Sequence, residues 1–218
     1  MVKQERAERT LRRIITAAAE QFEQNGYRGT SLDDITRAAG VSKGAFYFHF
    51  ASKDQVAMAV LGLAQGLFED AVADSCEGGS PLQSLIDLSH ELSELVRLEP
   101  PVRAAMRLHR ERPEPVAQDF DHHALWYEAA DRLLARAARQ HELLDTLSGR
   151  ASRALASTTL FSVEALSWAD APEGDSSRQL SELWELLLPA IAPPTLVGTF
   201  RTSAPDRCTD HPELAAQL

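Results

Sequence analysis

Four helix starts fall within the first fifty-five residues, and strand-like alternation of apolar and polar residues is almost absent from the chain. Leu11, Ile14, Ile15, Ala18 and Phe22 recur at three- and four-residue spacing, which is one apolar helix face, and Gly26 offers it a stop. Ser31 stands three residues before Asp34, the spacing of a capping box. Leu32, Ile35 and Ala39 give that short helix an inward face, and Gly40 ends it. Ser42 caps a third helix, and Ser52 a fourth. These signals predict a compact three-helix unit running into a longer helix.

Longer helical patterns follow near 53–75, 81–98, 101–111, 120–142, 147–169 and 177–191. Pro100-Pro101 and Pro113-Glu114-Pro115 bound a short one, because proline ends one helix and starts the next. After Pro193-Pro194 the chain turns polar and reads as frayed. The expected fold class is all-α. Residues 1–52 form an N-terminal three-helix domain, 53–192 a helical C-terminal domain, and 193–218 a flexible polar tail.

With 218 residues, 44% hydrophobic and 25% charged, the chain has the composition of a soluble globular protein. No signal peptide is visible, and no continuous apolar run reaches the roughly 20 residues of a membrane span. A cytoplasmic protein without membrane contact is expected. Cys76 and Cys208 form no CxxC pair and read as incidental small residues. The net charge of −10 hides an asymmetry: residues 1–53 carry nine Lys or Arg against six Asp or Glu, and the remainder thirteen against twenty-six. A basic end on an acidic body fits a polyanion partner for the first segment, or simply a solvated surface.

Residues 41–50, VSKGAFYFHF, hold four aromatics within ten positions. On a helical wheel Lys43, Gly44, Tyr47 and Phe48 share one arc, while Phe46 and Phe50 fall on the other and face Ile14 and Ile35. His49 sits near the buried edge. The helix after Ser31, the Gly40-Val41 turn and the helix after Ser42 have the lengths of a helix-turn-helix. Such a recognition helix needs close approach to base edges, which Gly44 allows, and phosphate holders, which Lys43, Tyr47 and His49 supply. Main-chain N–H groups after Ser31 and Ser52, with Lys53, add phosphate contacts.

The run Gly40-Val41-Ser42-Lys43-Gly44-Ala45-Phe46-Tyr47-Phe48-His49-Phe50, with Ser52-Lys53 after it, resembles the DNA-binding signature of TetR-type repressors. Phe22, Gly26-Tyr27, Thr30-Ser31 and Asp34-Ile35 before it match as well. The resemblance implies an all-helical homodimer that binds double-stranded operator DNA, with Thr30, Ser31, Ser42, Lys43, Gly44, Tyr47, Phe48, His49 and Lys53 as candidate contacts. Residues 3–7, Arg103–Leu108, Trp126-Tyr127-Glu128 and Leu188–Ala192 are similar, more loosely, to the γ-butyrolactone receptor group of actinomycete regulators. By that likeness Trp126 lies over the ligand ring and Thr159 offers a hydroxyl to a lactone carbonyl, with Gln65 a further candidate. From the residues alone, Trp126 reads as core and Thr159 as bonded to its own helix. The sequence pI of 5.2 matches the acidic character of true receptors in that group.

Asp119, Asp121, His122 and His123 invite a metal reading, but neighbours about 100° apart on a helix rarely converge on one ion. No metal, no cofactor and no catalytic residue is expected, since HExxH, GxSxG, P-loop and GxGxxG patterns are missing. The expected function is a ligand-responsive repressor released by a γ-butyrolactone, butenolide or furan effector. Alternatives are a pseudo-receptor or drug-responsive repressor and, from another class, a helical enzyme or scaffold.

Overall fold

A computed structural model describes residues 2–75, 79–111, 121–168 and 175–205. The described residues form helices and turns only: α1 Val2–Gly29, α2 Leu32–Ala39, α3 Lys43–His49, α4 Lys53–Ser75, α5 Pro81–Leu98, α6 Pro100–Glu111, α7 His122–Arg139, α8 Gly149–Trp168, α9 Asp175–Ile191 and α10 Pro194–Val197. The helices anticipated from apolar spacing are therefore present, and α10 is an addition. Cys76, Cys208 and Asp119 lie outside the described residues.

The chain divides into two compact units, one taking the chain up to Leu67 and again from Leu98 to His122, the other Phe68–Arg97 and onward from His123. The expected division at 52/53 thus differs from the observed one, which falls inside α4. The reason lies in α6, which belongs with α1: Arg103 Nε on α6 donates to Glu23 Oε1 on α1 at 2.6 Å.

In the first unit Ile14, Ala18 and Phe22 of α1 are buried with Ile35 of α2, Phe46 of α3 and Phe50. Burying each of the three phenylalanine rings stabilises the unit by about 1.5–3 kcal/mol. Gly26 does not simply stop α1. Its φ of +71° bends the helix, which then continues to Gly29. One face of α4 is buried through Val56, Ala57, Val60, Leu61 and Ala64. Contrary to the reading of continuous runs, Lys53–Asp74 reaches a mean hydropathy of 1.5, enough by length and composition to cross a membrane. Val, Leu, Ala and Met raise the average, while Gln65, Glu69 and Asp70 interrupt the apolar run.

The second unit is tied together by polar groups at helix ends and in its core. The Glu142 carboxylate accepts the Leu82 N–H at 2.8 Å and caps the start of α5. Trp184 of α9 donates its indole N–H to Ser89 Oγ of α5 at 2.8 Å, and Ser89 passes its own proton to Ile86 O at 2.6 Å. The tail expected to be flexible is held where it is described, through residue 205. Gln83 exchanges two hydrogen bonds with the Arg201 main chain, Arg201 pairs with Asp87 at 2.9 Å, and His90 Nε2 donates to Thr202 O at 2.7 Å. Polar residues read as frayed here find their partners on α5. Residues 206–218 lie outside the described residues.

Candidate nucleic-acid interface and effector site

Local chemistry builds the helix-turn-helix. Ser31 Oγ accepts the Asp34 N–H at 3.2 Å and the Asp34 carboxylate accepts the Ser31 N–H at 3.1 Å, a closed capping box. The Ser31 hydroxyl, then its N–H, and the Arg37 guanidinium hold the Asp34 carboxyl below the usual carboxylate range. Gly40 ends α2 in the left-handed region at φ +61°, donating to Arg37 O at 3.1 Å, while the Val41 N–H reaches Thr36 O at 3.0 Å. Ser42 Oγ then accepts the Ala45 N–H at 3.1 Å and starts α3.

On α3 the wheel separates as anticipated. Phe46 is buried and packs against Phe50 with ring centroids 5.9 Å apart and planes tilted by 42°, whereas Tyr47 is 57% and Phe48 78% exposed. Ser42, Lys43 and Gly44 are exposed beside them, and His49 is half-buried. A Cβ added at Gly44 would meet nothing nearer than Ser42 Oγ at 3.9 Å, so the protein itself leaves this space open. Lys43 Nζ lies 2.7 Å from Asp33 Oδ1, and this hydrogen bond raises the ammonium above its ordinary range.

Two candidates turn inward instead. Thr30 is buried, and its hydroxyl donates to Gly26 O at 2.7 Å, or to Gln21 O at 3.0 Å. Lys53 Nζ donates to Tyr27 O at 2.8 Å and Thr30 O at 3.0 Å, 4.0 Å from the Tyr27 ring centroid. In the free protein the Thr30 hydroxyl is held by α1, and Lys53 ties the end of α1 to the start of α4.

The effector candidates Trp126 and Thr159 are wholly buried and meet on the same turn of α8. The Trp126 indole donates to Ala156 O at 2.8 Å, and the Thr159 hydroxyl reaches Leu155 O at 2.8 Å on its own helix. The neighbouring Tyr127 hydroxyl donates to Ser157 Oγ at 3.2 Å. Trp126 and Tyr127 therefore join α7 to α8, and the Thr159 proton is engaged by the main chain of its own helix. Gln65 is half-buried on α4. Of the residues weighed as metal ligands, His123 has its Nε2 2.7 Å from Glu164 Oε1. Sequence reading missed Asp33 as the partner of Lys43; only its i−10 position across the turn could have pointed to it.

Residues 14–60 match the description "Bacterial regulatory proteins, tetR family". The A-factor receptor protein of Streptomyces griseus is 32% identical over 92% of this chain and 70% of its own length. A crystal structure of a gamma-butyrolactone receptor (ArpA-like protein) aligns with a TM-score of 0.76 at 32% identity, covering 88% of this chain and 93% of that one. The structure of CprB from Streptomyces coelicolor in complex with its biological operator sequence aligns with a TM-score of 0.71 at 31% identity, covering 89% and 94%. Likeness over nearly the whole chain, and not only over the helix-turn-helix, shows that this chain belongs to the tetR family of bacterial regulatory proteins.

Proposed function

We propose that the protein is a homodimeric, ligand-responsive transcriptional repressor acting in the cytoplasm, and that a γ-butyrolactone-type molecule releases it from a pseudo-palindromic operator. The observation that carries this reading is the outward arc of α3: Lys43, Gly44, Tyr47 and Phe48 exposed on a capped helix, with open space above Gly44. Two such helices in a dimer would enter successive major grooves about 34–36 Å apart. Ser42, Lys43, Tyr47 and His49 then hold phosphates and fix the register, while Gly44 and Phe48 approach base edges. The main-chain start of α2 behind Ser31 adds a phosphate contact.

Dimerisation through α8 and α9 is supported by exposed apolar residues on each, Phe161 at 55% and Leu186 at 77%. Leu155, Leu180 and Trp184 of the same two helices are buried in the protomer's own core. The effector is proposed to bind against Trp126, with Thr159 as a polar partner. It can release the operator only by its differential affinity for a second conformation.

A pseudo-receptor remains the second reading, favoured by the engagement of both Trp126 and Thr159 with main-chain carbonyls. A gel shift with DNA from beside the protein's own gene, with and without alkyl-substituted γ-butyrolactones, tests the proposal. Retarded DNA that the lactone frees supports a receptor. Retarded DNA that no lactone frees supports the second reading, and unretarded DNA rejects both.

A further inference from the structure

The function proposed above gives no role to Arg103–Leu108 of α6, on which part of the sequence resemblance rests. Arg103 grips Glu23 of α1 twice, from Nε to Oε1 at 2.6 Å and from Nη2 to Oε2 at 3.2 Å. One turn on, Arg107 donates from Nη1 to Glu23 O at 2.6 Å and from Nε to Glu111 Oε1 at 2.9 Å. The other oxygen of Glu111 accepts the Tyr27 N–H at 2.8 Å. That N–H follows Gly26, the residue at which α1 bends. A side chain at Gly26 would displace the Glu111 carboxylate, and the positive φ there favours glycine. Helix α6 therefore closes on α1 at its bend.

Contacts continue from the bend toward the helix-turn-helix. Tyr27 stacks on Phe22 at 5.8 Å, and its hydroxyl bonds the Asp54 carboxylate at the start of α4. Burial, then the bond to Asp54, push the phenol's pKa up and keep it a donor. Lys53 ties Tyr27 O to Thr30 O, and Ser31, the cap of α2, is the next residue.

We propose that Glu111, oriented by Arg107, is a positioning residue for operator binding. By accepting the Tyr27 N–H it fixes the bend from which α2, and through the turn α3, is hung. This role rests on the repressor reading and requires no contact with DNA. Because α6 begins just after the unit boundary at Arg97–Leu98, the latch stands on the helix by which the chain returns to the first unit.

The full-length protein and its Glu111→Ala and Glu111→Gln variants are titrated with DNA from beside the protein's own gene at several salt concentrations. Glu111→Ala removes the acceptor and is expected to weaken binding about ten-fold, the loss typical of one hydrogen bond to a charged group. The salt slope stays unchanged because no phosphate contact is lost. Glu111→Gln keeps an oxygen for the Tyr27 N–H and restores most of the affinity, and hydrogen exchange in residues 24–31 is faster in the alanine variant than in the glutamine one. Wild-type affinity in Glu111→Ala, or equal loss in both variants, overturns the proposal. If the unaltered protein fails to bind the fragment, the repressor reading falls and the latch falls with it.

Discussion

The indole N–H of Trp126 and the hydroxyl of Thr159 converge on one acceptor, the main-chain carbonyl of Ala156, at 2.8 and 3.2 Å. A hydroxyl has a single proton, so Thr159 divides it between this carbonyl and that of Leu155. An effector that takes the Thr159 proton would therefore release both carbonyls, of which that of Ala156 keeps the Trp126 indole as a donor while that of Leu155 does not.

That arrangement makes Trp126→Phe more informative than Trp126→Ala. The phenylalanine keeps most of the buried ring area and loses the bond to Ala156, lowering stability by about 1 kcal/mol. The alanine variant opens a cavity and costs about 3–5 kcal/mol. For a tryptophan that contacts the effector, Trp126→Phe raises the lactone concentration for half-release of DNA about ten-fold while operator affinity holds. Thermal unfolding and gel shifts on the same variant check this, and lost stability with normal release leaves Trp126 as core.

Lys43 is paired with Asp33 in the free protein, so a DNA phosphate that binds its ammonium would compete with that carboxylate. Lys43→Ala and Tyr47→Ala should each weaken operator binding while helicity and dimer mass stay intact. Lys43→Ala should also make the log–log salt slope shallower by about 0.9. Asp33→Asn frees the ammonium and is expected to tighten binding at low salt. Fluorescence titrations across a salt series measure both, and unchanged affinity in Lys43→Ala and Tyr47→Ala would remove α3 from the interface.

The apolar surface on α8 and α9 predicts a dimer near twice the 24.0 kDa chain mass. Changing Phe161 and Leu186 to aspartate together places charges on that surface and is expected to shift light scattering toward the single-chain mass. Both side chains are exposed in the protomer, so its helicity should survive the change. A variant that stays dimeric would locate the interface elsewhere.

His90 should make the second unit sensitive to acid. Burial lowers its pKa below the ordinary value, and the Thr202 carbonyl opposes that shift without overcoming it. A histidine lowered in the fold binds fewer protons there than in the unfolded chain, where its value is about 6.5. Its contribution is therefore fully present above about pH 6.5 and is lost as pH falls toward the folded value. Unfolding midpoints at neutral pH and at about pH 5.5 should differ more in the unaltered protein than in His90→Gln.

The helix-turn-helix was legible in the sequence because its determinants are local. Ser31 with Asp34, Ser42 with Ala45 and Gly40 with Arg37 act within three residues of one another. The bond from Lys53 to Tyr27 O was not legible, because that acceptor comes into reach only when the end of α1 meets the start of α4. The same holds for the chain after Ala192, whose partners Gln83, Asp87 and His90 lie more than a hundred residues earlier. Trp126 and Thr159 were legible as buried residues sharing a neighbourhood, but no local spacing reveals that their donors share a carbonyl.

The open space above Gly44 separates folding from recognition at a single atom. Since a methyl group there would meet only Ser42 Oγ, at an ordinary contact distance of 3.9 Å, Gly44→Ala should leave the subunit folded and able to pair with an unaltered copy. Each mixed pair would then carry one reading head that seats and one that is held off the groove. Expressed in excess in the same cell, such a subunit would silence the wild-type protein by sequestering it in half-competent pairs, a genetic dominance that arises from a surface no internal contact protects.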